Sequence, residues 1–285
     1  MLRRIFRKIL LLFCGLLVSW FVYAQFAMKH RISDNKAKEK FEAAGVTLFT
    51  ETIVVDKSKL HYAKTGNDTL PTLFFVHGSP GSWMKFGEYL KDKDLLEKYR
   101  MISVDRPGFG YSEFGNVKGI DEQSRIISAL LGKVQNSKPI YAIGRSYGGP
   151  MVVKLAIDNP GMFSGLVLLA SALDPNAEKP EKWRRVLFKT PLNYFVPGAW
   201  RPSSEELWHL KSELKELAGH YSEISCAVNI LHGDNDGLVP VSNAAYAAKM
   251  FVNAKSVAVK IIPGANHFIS DNNYDIVKEV LMKLY

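Results

Sequence analysis

Cysteine is nearly absent from the 285-residue chain: Cys14 and Cys226 are the only two. That excludes a disulfide-stapled scaffold and any multi-cysteine zinc site. Internal repeats and low-complexity segments are also missing. A nucleic-acid-binding surface is missing as well, although the formal net charge of +9 at first suggests one. Residues 1–40 carry nine Lys/Arg and two Asp/Glu, or +7, which leaves 28 against 26, or +2, for the other 245 residues. The basicity belongs to an N-terminal appendage. With 47% apolar and 23% charged residues, the remainder has the composition of a chain that buries a core.

Charge is also lacking from Ile9 to Met28, a twenty-residue run preceded by Arg3, Arg4, Arg7 and Lys8. Its length suits a helix that crosses a bilayer, and the basic flank suits the cytoplasmic side. The run reads as a retained signal anchor. Val22-Tyr23-Ala24 also allows a signal peptide cleaved before Gln25. A lipoprotein reading fails because Phe13 precedes Cys14 where a small residue is needed. The expectation is a membrane anchor over residues 1–28, a juxtamembrane tether over 29–45, and a catalytic domain over 46–285 on the non-cytoplasmic side, secreted if the signal is removed.

From Val46 onward, short apolar runs alternate with longer amphipathic stretches, which predicts an α/β domain with a mostly parallel sheet. Strands are expected at Thr52–Val55, Leu60–Lys64, Thr72–Val76, Met101–Val104, Ile140–Ile143, Leu166–Ala170, Val228–Leu231 and Val257–Ile262. Helices are expected at Asp121–Val134, Met151–Asp158, Ala244–Phe251 and Tyr274–Leu284. Between Ser171 and Ile224 no strand-like run occurs, yet Trp183, Trp200, Trp208 and Glu/Lys/Leu-rich pieces do. A structureless loop of that length is unusual, so a helical insertion at about 172–225 is expected.

The most specific motif is Gly144-Arg145-Ser146-Tyr147-Gly148, between a predicted strand and a predicted helix. That context forms a nucleophile elbow: the glycines permit the tight turn, and Ser146 is pushed out at the strand tip. A serine hydroxyl needs a base, and the base needs an orienting carboxylate. In this architecture the order is Ser, acid, His, and of the seven histidines only His267 follows every suitable acid. The loop after Val228–Leu231 offers both Asp234 and Asp236, and spacing does not choose between them. His77 and His232, at strand ends, read as loop supports. Oxyanion donors are expected from the backbone N–H of Tyr147 and, in His77-Gly78-Ser79-Pro80-Gly81, of Ser79.

These segments, with Asp105-Arg106-Pro107-Gly108-Phe109-Gly110-Tyr111-Ser112 and Gly233–Pro240, resemble the α/β-hydrolase superfamily over Thr52–Leu284. The resemblance implies an α/β-hydrolase fold, a cap domain over Ser171–Ile224, and Asp236 as the acid. It implies neither haloalkane dehalogenase nor epoxide hydrolase chemistry, because those enzymes place Asp where Ser146 stands. The serine form is similar to esterases, lipases, carbon–carbon bond hydrolases and proline iminopeptidases. Ser79 and Tyr147 depart from the H-G-G-P-G and Trp pattern of the iminopeptidases. Trp83 and Phe109 suit either an apolar pocket or core packing.

The expected activity is serine hydrolysis of a small-molecule acyl substrate, needing no metal and no cofactor. Cleavage of prolyl peptides or of carbon–carbon bonds is the alternative. A catalytically silent, membrane-held binding protein is the rival from another class.

Overall fold

A computed structural model describes residues 2–285. Helix α1 (Leu2–Phe26) takes up the uncharged run and is long and apolar enough to cross a membrane. Helix α2 (Asp34–Glu42) follows. Its Ala37 and Phe41, one turn apart, are fully buried against the domain. The tether expected over 29–45 therefore contains a docked helix, because these two apolar side chains share one face of an otherwise polar segment.

Eight strands form one sheet: β1 (Phe49–Val55), β2 (Ser58–Thr65), β3 (Thr72–Val76), β4 (Arg100–Val104), β5 (Ile140–Arg145), β6 (Gly165–Leu169), β7 (Ala227–Gly233) and β8 (Ser256–Ile262). Their order is β1-β2-β4-β3-β5-β6-β7-β8. The β1–β2 and β2–β4 pairs are antiparallel, and the others are parallel. The architecture is α/β with a mostly parallel sheet, as the alternating pattern predicts.

The other helices are α3 (Gly87–Lys91), α4 (Lys93–Lys98), α5 (Ile120–Val134), α6 (Gly148–Asp158), α7 (Lys182–Lys189), α8 (Trp200–Ala218), α9 (Ser242–Met250), α10 (Ile269–Asn272) and α11 (Tyr274–Met282). The central strands are apolar on both faces because both are covered. Phe74 and Val76 of β3 and Leu166 and Leu168 of β6 point to the side of α5, α6 and α9. Leu73, Phe75, Val167 and Leu169, the alternate residues, point to the side of α2, α3 and α11. Trp83 and Phe109 are buried: Trp83 stacks on Phe41 at 6.0 Å, and Phe109 meets the His77 ring at 5.6 Å. Of the two readings open for them, core packing is the one realised.

Between β6 and β7 the chain builds α7, a 3-10 turn at Pro191–Phe195 and the long α8. The elbow sits at the C-terminal edge of β5, where α6 begins against the neighbouring strand. A Cβ on Gly148 would overlap the Val76 carbonyl oxygen of β3 and meet that of His77 at 2.9 Å. Gly148→Ala is expected to cost about 3 kcal/mol through this overpacking. At ~2–4 °C per kcal/mol for a chain of this size, the melting temperature should fall by about 6–12 °C in a thermal denaturation scan.

Candidate active site

Ser146 lies between β5 and α6 with φ of +54°, in the left-handed region that costs a non-glycine residue energy. The sharp turn is held because Ser146 N–H donates to the Leu169 carbonyl of β6 and Gly149 N–H donates back to the Ser146 carbonyl. Gly78 packs against the serine so closely that a Cβ there would stand 3.0 Å from Ser146 Cβ and 3.6 Å from Oγ. The loop after β3 is thus apposed to the elbow. Among the described residues, the N–H groups of Ser79 and Tyr147 have no acceptor.

Asp236 follows β7, and His267 lies in the loop after β8. Asp236 Oδ2 is 2.7 Å from His267 Nδ1. His232 Nε2, facing the Val239 carbonyl at 3.0 Å, also lies 3.3 Å from Asp236 Oδ2. Asp236 Oδ1 accepts from Leu238 N–H at 2.9 Å and Val239 N–H at 2.8 Å. Burial raises the Asp236 pKa, but the bonds from His232, His267 and Val239 outweigh it and hold the carboxyl well below the usual range. The group is an ionised acceptor facing His267 Nδ1, an arrangement that favours the tautomer with a proton on that nitrogen.

Asp234 plays a different part. Its Oδ1 accepts from Gly264 N–H at 2.7 Å and closes the loop that carries His267. Among the described residues no hydrogen bond joins Ser146 Oγ to His267 Nε2. Such contacts are often long in unliganded hydrolases and tighten with substrate.

His77 is buried and bonded at both nitrogens, Nδ1 to the Gly78 carbonyl at 2.7 Å and Nε2 from Arg106 N–H at 3.0 Å. Burial, then the Arg106 charge, push its pKa well below the ordinary value. It is a neutral brace for the Ser79 loop, the supporting role expected for it.

Several residues around the site carry no local sequence signal. Arg106 is fully buried and forks onto Glu206 of α8 through two bonds of 2.8 Å, while also donating to the His77 and Gly78 carbonyls. Its guanidinium stacks on the Tyr147 ring at 4.4 Å. Ser79 Oγ donates to Ser203 Oγ of α8 at 2.8 Å. The loop after β3, the turn after β5 and helix α8 are therefore pinned at one point. Arg145, left without a role by the sequence, is buried, pairs with Asp271 at 2.9 Å and stacks on Phe268 at 5.2 Å. It fastens the elbow to the segment just after His267.

Glu213 of α8 accepts from Ile120 N–H and from Tyr147 Oη, each at 3.1 Å. Burial pushes its pKa up to about 7, against the pull of those two bonds. The unfolded chain loses this proton near pH 4.5 while the folded chain keeps it to about 7, so stability is full below 4.5 and declines as pH rises through that window. Full ionisation across it costs up to ~3 kcal/mol. Buried Asp105, also raised to about 7, adds a slope of the same sign. Glu213→Gln is therefore expected to narrow the gap between melting temperatures at pH 5 and pH 8 by roughly half, read by calorimetry.

Two cavities lie away from Ser146, Asp236 and His267. One of about 490 Å³ is lined by Lys154, Glu213, Glu216 and His220, among others. A shallower one of about 460 Å³ is lined by His30, Arg31, Lys36, Lys40 and Lys85 with Ser33 and Ser82. Neither is lined by Ser146, Asp236 or His267, which lie at or just beyond the C-terminal ends of β5, β7 and β8.

Residues 71–195 match a family model described as the α/β hydrolase fold. Epoxide hydrolase 1 of Caenorhabditis elegans is 27% identical over 143 residues, 48% of this chain and 32% of its own length. The 2-succinyl-6-hydroxy-2,4-cyclohexadiene-1-carboxylate synthase of Escherichia coli O1:K1 is 31% identical over 109 residues, 37% of this chain and 40% of its own. The chain thus spans between a third and a half of the length of these curated relatives. Among solved structures, the 2-hydroxy-6-oxo-6-phenylhexa-2,4-dienoate hydrolase of Rhodococcus sp. strain RHA1 aligns with a TM-score of 0.67 at 19% identity, covering 84% of this chain and 99% of that one. A membrane phospholipase A described as a bacterial virulence factor aligns with a TM-score of 0.60 at 18% identity, covering 99% of this chain and 100% of that one.

Proposed function

We propose that this chain, which has the α/β-hydrolase fold, is a membrane-anchored serine hydrolase of carboxylic esters or related acyl compounds. Ser146 Oγ attacks the substrate carbonyl carbon while His267 Nε2 takes the hydroxyl proton. Asp236 holds the imidazole in the required tautomer and balances the imidazolium charge. The amides of Ser79 and Tyr147 receive the oxyanion. Collapse breaks the bond to the leaving group, to which His267 returns the proton, and leaves an acyl-Ser146 ester. Water, deprotonated by His267, then hydrolyses that ester and regenerates the serine.

The observation that carries this reading is the 2.7 Å contact between Asp236 and His267 at the sheet edge where strained Ser146 is presented. Epoxide opening is not carried over from the relative that bears that name, because the family resemblance assigns the position of Ser146 to Asp in such enzymes. Helix α1 (Leu2–Phe26) acts as the anchor, with the basic end in the cytoplasm and the hydrolase outside.

A fluorophosphonate probe tests the reading on the full-length protein. One equivalent is expected on the Ser146 peptide, with loss of p-nitrophenyl ester turnover in proportion. Folded protein that stays unlabelled would refute the enzyme and leave the silent binding protein.

A further inference from the structure

The cap carries an outer surface that the hydrolase reading leaves unused. Helix α7 (KWRRVLFK) has no buried residue, and neither has the Pro191–Phe195 turn after it. Trp183, Val186, Leu192 and Tyr194 are each about half exposed, and Trp200 beside them is 43% exposed. Contiguous apolar exposure of this kind marks an interaction surface. Lys182, Arg185 and Lys189 are interleaved with it.

This surface is continuous with the anchor. Trp20 Nε1 donates to the Phe195 carbonyl at 2.9 Å, and Gln25 Nε2 donates to that of Tyr194 at 2.7 Å. The Phe21 and Phe195 rings meet edge to face at 5.6 Å. Gly198 N–H donates to the Ala24 carbonyl, and a Cβ at Gly198 would overlap the Ala27 and Met28 backbone. Trp20 precedes the helix end at Phe26 by six residues, or ~9 Å at 1.5 Å per residue. The turn is thus set back along the anchor by the depth to which interfacial helices bury, about 5–10 Å. Aromatic and aliphatic side chains interleaved with Lys and Arg are also the composition of such segments.

We propose that α7 and the Pro191–Phe195 turn lie in the bilayer leaflet from which the anchor emerges, with their cations among anionic headgroups. The cap then rests on the membrane and the site takes an acyl-bearing amphiphile from the lipid phase. The docking stands on the geometry alone, whereas the substrate class rests on the hydrolase reading.

The test uses full-length Cys14→Ser/Cys226→Ser protein, which carries no native thiol, in vesicles of phosphatidylcholine and phosphatidylglycerol. Val186→Cys and Leu192→Cys carry an environment-sensitive nitrobenzoxadiazole label, with Val252→Cys, exposed in the turn before the edge strand β8, as control. Labels at 186 and 192 are expected to shift to the blue and to be quenched at least twofold by doxyl-labelled lipid, with 252 unaffected. Emission at 186 and 192 that matches 252 overturns the docking. Protection that rises with the protein-to-lipid ratio and without doxyl quenching overturns it too, in favour of a second copy of the chain.

The double variant Trp183→Ser/Leu192→Ser should lose tenfold or more in kcat/KM on a vesicle-embedded long-chain ester, with turnover of a short soluble ester within twofold of the parent. Equal loss on both substrates refutes delivery from the lipid phase. Quenching at 186 and 192 without hydrolysis of any ester refutes the hydrolase reading while leaving the docking intact.

Discussion

Replacing Ser146 with alanine is expected to lower ester turnover by about 10⁴- to 10⁶-fold, with KM changed only a few-fold. In the proposed mechanism the hydroxyl oxygen is the one atom that bonds covalently to substrate, so nothing in the remaining site takes over its step. The residual rate should stay above the uncatalysed one, because the Ser79 and Tyr147 amides still polarise a bound carbonyl. Melting temperature should hold or rise slightly, since Ala at φ of +54° keeps the same backbone strain while the apposed Gly78 gains space. Stopped assays with purified protein, paired with fluorophosphonate labelling, check both halves. Near-parental turnover in the alanine variant would remove Ser146 from the mechanism.

The second large effect separates two aspartates two residues apart. Asp236→Asn should reduce kcat by about 10⁴-fold, the loss that follows when an imidazole is left in the wrong tautomer. An asparagine amide facing His267 Nδ1 either donates to it or accepts from it with no charge, and the imidazolium loses its counter-ion. Asp234→Asn should leave kcat within a few-fold, because an amide oxygen still accepts from Gly264 N–H at that turn. Parallel kinetics on the two variants decide the matter, and the reverse ranking would reassign the acid.

The sheet was legible in the sequence because its signal is local. Each of the eight expected strands overlaps an observed one, and the signal is plainest in β3 to β6, buried at every position, since a strand covered on both faces must be largely apolar at consecutive positions. Helices α3 and α4, five and six residues long, were not anticipated, because a single turn carries too little periodicity to register. Helix α2 was hidden for a related reason: its docking rests on Ala37 and Phe41 alone within a lysine-rich stretch.

The candidate site divides in the same way. Gly144 and Gly148 flank Ser146 because the turn admits no side chains there, so that motif is written in five adjacent residues. The contact of Arg106 with Glu206 joins positions 100 apart, and no spacing rule marks one as the other's partner. Asp234 and Asp236 could not be ranked by spacing because both occupy one loop. What distinguishes them is which side chain faces the imidazole and which closes the Gly264 turn.

The buried fork of Arg106 on Glu206 also bears on how a substrate gets in. Swinging α8 away from the sheet would carry Glu206 off and leave Arg106 without its buried partner, a loss that costs about 3–5 kcal/mol. The 182–195 segment carries no such penalty, since none of its helical residues is buried. Held to the anchor by Trp20 and Gln25 and not sunk into the domain, it is the part of the insertion that can shift without unburying a side chain. Under the proposed function, substitutions that stiffen residues 182–195 should slow long acyl substrates while sparing small ones.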